Sequence, residues 1–175
     1  MKHTKNILKS LLIMVMALSL LAVSCSKDEG GSKPTNPTVP INAATLDGAI
    51  KLAAAQLATD TTLSSKVTFD FSSFTSANGK GNASATVTAE VKGTDLKTAL
   101  EKAFKLDTDD YSSTADAGTI ADNAQKADLT ITITLKGNNT FASDVTPKYE
   151  EVAGNSKSVK TVITITADKK WNNKN

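Results

Sequence analysis

The sequence predicts an α+β domain, a two-layer sandwich in which a four-stranded antiparallel sheet carries two helices on one face in the order αββαββ. Three observations lead there. Apolar residues recur at three- and four-residue steps in two segments and alternate strictly in four others. The positions between those alternating residues are filled mostly by Thr, Ser, Lys, Asp and Glu, the pattern of a sheet covered on one side and wet on the other.

The first helix is placed at about residues 43 to 58. Leu46, Ala49, Ile50, Ala53 and Leu57 form its stripe, and Asn42 or Thr45 offers an N-cap. The first strand follows with Val67, Phe69 and Phe71 on one face, and the second with Ala85, Val87, Ala89 and Val91. The second helix is placed at about 95 to 105. Leu96, Ala99, Leu100, Ala103 and Phe104 make a clean stripe, with Lys97, Glu101 and Lys105 spaced four apart beside it. Leu129, Ile131, Ile133 and Leu135 mark the third strand, and Thr161, Ile163, Ile165 and Ala167 the fourth. Two connections are long for a compact domain, 106 to 126 and 137 to 157. The first has room for a short helix at Ile120 to Ala124. Together with residues 72 to 82 they are the loops in which a recognition surface is expected.

The residues before this domain have a different character. Lys2, Lys5 and Lys9 precede an uncharged apolar run from Leu11 to Val23, the layout of a secretory signal. The run is shorter than the roughly 20 residues a membrane-spanning helix needs. Leu21-Ala22-Val23-Ser24-Cys25 then resembles the lipobox of bacterial lipoproteins. That resemblance implies removal of residues 1–24 and leaves Cys25 as the first mature residue, carrying a diacylglycerol and an N-acyl chain. At about 0.8 kcal/mol per buried methylene, such chains hold a protein on a membrane durably. Ser26, Lys27, Asp28 and Glu29 resemble the acidic export signal of surface-exposed lipoproteins of Bacteroidota-type bacteria, which implies the outer membrane and the cell surface, the periplasmic face being the alternative. Residues 25–40 form a Pro- and Gly-containing linker, about 20 Å across as a coil. The remaining 41–175 are read as one domain.

Composition narrows the chemistry. All 20 basic residues are lysine, so there is no arginine, and the one histidine, His3, lies in the leader. With Lys2, Lys5 and Lys9 removed, 17 lysines face 18 acidic residues, so no positive field suits nucleic acid. A domain lacking His, Arg and a free thiol has no Ser-His-Asp or Cys-His nucleophile, no soft metal site and no arginine clamp. No cofactor beyond the lipid on Cys25 is expected, and no catalytic residue is assigned.

Few features remain that could bind. Asp107, Asp109 and Asp110 gather carboxylates that suit calcium, although Tyr111 interrupts the EF-hand spacing, so no metal site is assigned to them. Of the eight aromatic residues, Phe69, Phe71, Phe104 and Trp171 are placed in or beside the core. Phe74, Tyr111, Phe141 and Tyr149 are left as loop rings for stacking on a glycan or packing on a protein. The expected role is a lipid-anchored, non-catalytic binding or accessory module with a protein or glycan partner. The alternative is a structural envelope lipoprotein that associates with itself, and a hydrolase using Asp or Glu comes third.

Overall fold

A computed structural model describes residues 40 to 172. Residues 1–24, read from the sequence as a secretory signal, together with Cys25 and the Ser26 to Glu29 stretch, lie outside the described residues. Helix α1 is Ala43–Ala55, extended by a 3-10 turn over Gln56–Thr59. Asn42 caps it through its side-chain oxygen, which accepts the Thr45 amide at 2.8 Å. Helix α2 is Gly93–Ala103, with Lys97 and Glu101 paired at 2.7 Å on its outer side. The strands are β1 (Val67–Asp70), β2 (Lys80–Val87), β3 (Tyr111–Asp116), β4 (Lys126–Leu135), β5 (Glu150–Val152) and β6 (Asn155–Ala167).

The fold is α+β with two helices, as the pattern implies, but the sheet is larger than four strands and is mixed. Its order is β1-β2-β6-β4-β3, with β5 also paired to β6. The hairpins β1–β2 and β4–β6 are antiparallel, and they join through β2 and β6, which run parallel. Strand β6 is long enough to serve three neighbours. One edge carries β4, while the other carries β5 along its first half and β2 along its second.

Register keeps one face apolar across the whole sheet. Val67 lies opposite Val87, Ala83 opposite Ile165, Leu129 opposite Ile163, and Tyr111 opposite Leu135, all buried. Leu46, Ile50 and Ala53 of α1 and Leu96, Ala99 and Leu100 of α2 join the same core. The other face carries Thr86, Ser84, Thr164, Thr166, Thr130, Thr132, Thr134 and Thr114, with Val162 the apolar exception. Threonine is β-branched and polar, so it suits a wet strand.

Both long connections contain strands that the alternation did not announce. β3 lies in the first and β5 in the second, and Ile120 to Ala124 form turns rather than a helix. The second strand also begins earlier than expected, at Lys80, and Ala89 is exposed beyond its end. Gly81, in the added stretch, is closely packed. A Cβ there would stand 2.3 Å from the Phe74 ring, so a glycine sits in the strand where the ring crosses it.

Candidate functional site

The rings picked out as binding candidates are mostly core. Phe74 and Tyr149 are at most 1% exposed, and Tyr111 is buried too. Phe141 alone stays half-buried, in a recess with Asn139, Thr140 and Lys157. A stacking platform built from the four is therefore not assembled. The carboxylates of the 107 to 110 segment are drawn apart by partners of their own: Asp107 pairs with Lys136, and Asp110 accepts from the Asn139 amide at 3.1 Å. The lysine holds the Asp107 carboxyl below its ordinary range. Among the described residues no group of three or more His, Cys, Asp or Glu comes together for a metal.

The cluster that most resembles an active site is one the sequence pattern did not single out. Asp47, buried on α1, accepts from the Tyr149 hydroxyl at 2.7 Å and from the Ser76 amide at 3.2 Å. Ser76 Oγ donates to the Lys148 carbonyl at 2.8 Å, so the 2.9 Å contact with Thr161 Oγ1 takes its proton from Thr161. Burial first, and the Asp47 carboxylate second, push the Tyr149 phenol far above its ordinary value. A phenol held that firmly is neither an acid nor a base near neutral pH. What the cluster does is tie α1, the 71 to 79 segment, the 145 to 149 segment and β6 together through satisfied buried polar groups.

The two sheet edges differ in how far their own chain covers them. β3 closes one side, and the first half of its outward row is used: Ser113 donates its amide to Leu106 O at 2.9 Å, and Tyr111 O accepts the Thr108 amide at 2.9 Å, while the Ala115 amide and carbonyl have no hydrogen-bond partner among the described residues. β1 closes the other side and is largely open. The Thr88 amide donates to Lys66 O, so that carbonyl faces β2, and alternation along the strand turns the amides of Val67, Phe69 and Phe71 outward. The Val67 amide is taken by Leu63 O at 2.9 Å, and Phe71 O by the Phe74 amide at 3.0 Å. Val67 O, Phe69 N, Phe69 O and Phe71 N have no hydrogen-bond partner among the described residues.

Beside this edge runs a groove of about 330 Å³, with Lys51, Ala54, Ala55 and Ala58 on one wall and Val67, Phe69 and Phe71 on the other. Phe69 is half-buried, and Leu52, a residue away on the helix, is 49% exposed. An edge strand with unpaired backbone groups next to an apolar helix wall is the geometry by which folded domains take an extended segment. This site could not be found by looking for aromatic loops, because its main groups are backbone atoms.

Comparisons with protein-family models, with curated proteins and with solved structures find no match. No helix among the described residues is long and apolar enough to cross a membrane.

Proposed function

We propose that this chain is a lipid-anchored binding module of the outer membrane, displayed on the cell surface, whose β1 edge and flanking groove take an extended protein segment. The observation that carries the reading is the β1 edge itself, which offers four backbone groups beside an apolar groove, whereas β3 is closed over its first half by its own chain. Composition supports a non-catalytic role, since no His, Arg or free Cys remains after Cys25 is acylated. Glu150, which with Glu151 forms a pair of neighbouring carboxylates on β5, is engaged by Lys160 at 3.0 Å. A peptide partner fits the site better than a glycan, because three of the four candidate rings for stacking are buried while the open groups at the edge are amides and carbonyls.

The test is co-purification from native membranes after mild cross-linking, comparing the wild-type chain with Phe69→Lys, in which a charge blocks the edge. A stoichiometric partner held by the wild type and lost in a variant of unchanged unfolding behaviour supports the proposal. The same partner on both chains contradicts it.

A further inference from the structure

The open groups of the β1 edge are bounded at both ends, and we infer that their occupant runs parallel to β1 and presents three extended residues in the order acidic, apolar, basic. The inference rests on the strand-binding reading above and names the class of segment that fills the edge. The four open groups are Val67 O, Phe69 N, Phe69 O and Phe71 N. Beyond them the edge is closed by Leu63 O on the Val67 amide and by the Phe74 amide on Phe71 O.

In a parallel pairing the segment's residue opposite Phe69, here residue k, turns its own amide and carbonyl away, and the residues before and after it reach the edge. Residue k−1 donates to Val67 O and accepts from Phe69 N, while k+1 donates to Phe69 O and accepts from Phe71 N. Two residues thus satisfy all four groups and leave none of their own unused. The next groups aimed at this edge belong to k−3 and k+3, so the segment can bend away before either closed position. An antiparallel segment reaches Val67 O and Phe71 N only with residues directly opposite Val67 and Phe71. Those residues aim a carbonyl at Leu63 O and an amide at the Phe74 amide, both of which already fill the space.

Side chains fix the order. Residue k shares the face of Phe69 and enters the groove, where Ala54, Ala55 and Ala58 leave room for an aliphatic side chain and Lys51 disfavours a basic one. On the wet face k+1 stands beside Asp70, and k−1 stands beside Thr68, diagonal to Lys66. Lys66 and Asp70 have no ion pair among the described residues, so an acidic k−1 and a basic k+1 meet unpaired charges of opposite sign. Asp70 is available as an anion, since the Ser72 hydroxyl and amide hold its carboxyl below the ordinary range. The chain's own linker does not qualify. Its one aliphatic residue, Val39, is followed by Pro40, which has no amide for Phe69 O.

The experiment uses the detergent-solubilised full chain and a fluorescent peptide, Gly-Ser-Glu-Leu-Lys-Ser-Gly with blocked ends. Saturable binding is expected, lost in Phe69→Lys and about fivefold weaker for the reversed order Lys-Leu-Glu. N-methylation separates the two directions. On the lysine amide it weakens binding about tenfold, because that N–H meets Phe69 O, and on the leucine amide, which points away, it leaves binding unchanged. Asp70→Lys inverts the preference, so that a glutamate after the leucine binds better than a lysine.

A loss on leucine methylation as large as on lysine methylation, or tighter binding of the reversed peptide, overturns the parallel direction while the strand-binding reading stands. No inversion in Asp70→Lys overturns the charge order and with it the proposal. No saturable binding by a chain with wild-type unfolding behaviour overturns the proposed class of segment, and the co-purification comparison above then decides the strand-binding reading separately. Binding indifferent to both methylations and to Phe69→Lys overturns both.

Discussion

Replacing Tyr149 by Phe removes one oxygen from the middle of the fold, and the structure sets what that costs. The hydroxyl donates to Asp47 Oδ1 at 2.7 Å, and the ring is 1% exposed. The phenylalanine ring fills the same space, so no cavity larger than the lost oxygen forms. What is lost is a buried hydrogen bond to a carboxylate, leaving Asp47 Oδ1 with the Ser76 amide at 3.2 Å. Hydrogen bonds to charged groups contribute about 1.5–3 kcal/mol, so the expected loss is about 2 kcal/mol. Urea unfolding at pH 7, followed by the fluorescence of the buried Trp171, measures it as a lower midpoint at unchanged slope.

The pH dependence gives an independent check. Tyr149 has its folded value raised above the ordinary 10.0, so its stabilising contribution is complete below pH 10 and is lost as pH rises further. There the unfolded chain ionises and the folded one resists, and each such tyrosine lowers stability by about 1.4 kcal/mol per pH unit. Tyr111 behaves alike, raised first by burial and then by Asp110, so Tyr149→Phe should remove about half of the alkaline slope. A loss below about 0.5 kcal/mol together with an unchanged alkaline limb would refute the claim that this cluster ties the core together.

Other expectations follow from the same coordinates. Gly93→Ala should destabilise by about 3 kcal/mol or more, because a Cβ there would lie 1.8 Å from the Ile120 carbonyl oxygen, and backbone cannot give way as a side chain would. Gly48→Ala, the same change where nothing lies within 4 Å, should stabilise α1 by about 0.5–1 kcal/mol, so the two thermal midpoints move in opposite directions. Glu101, held low first by Lys97, and Asp116, held low first by the Gly118 amide, contribute stability above the ordinary carboxylate range that is lost as pH falls through their depressed values. Acid titration of the Lys97→Met variant, read by circular dichroism, should therefore show a shallower loss below about pH 4. Mass analysis of the chain from membranes should find Cys25 as the N-terminal residue with acyl chains, and Cys25→Ser should move the protein out of the membrane fraction. An unmodified thiol at Cys25 would contradict the anchor.

The helices and four of the strands were legible because their apolar residues are large and regularly spaced, as in Leu46, Ile50 and Ala53 or in Leu129, Ile131 and Ile133. β3 escaped notice because its inward positions include Ser113 and Ala115. Ser113 can be buried there only because its hydroxyl donates to Phe104 O at 2.7 Å and accepts the Leu106 amide at 2.9 Å. β5 is three residues of Glu-Glu-Val, too short to alternate, and is held by a turn in which Gly154 has φ +76°. The parallel joint between β2 and β6 depends on which strands meet, and side-chain period is blind to that.

Burial of Phe74 escaped the local pattern because it depends on a meeting with Gly81, whose missing side chain leaves the space that the ring occupies. The candidate site was hidden for a different reason. Nothing in Val67-Thr68-Phe69-Asp70 says that this strand lies at an edge or that its neighbour beyond is empty. Openness is a property of the topology, and the sequence could supply only the side chains around it.

Amide hydrogen exchange at Phe69 and Phe71 tests the central claim most directly, comparing the chain at native density in its membrane with the same chain diluted in detergent. Both amides point out of the sheet and lack an internal partner among the described residues. Occupation of the edge predicts slow exchange of both in the membrane and fast exchange on dilution, with the Thr88 amide, bonded to Lys66 O, slow in each. Equally fast exchange of Phe69 and Phe71 in both states would contradict it.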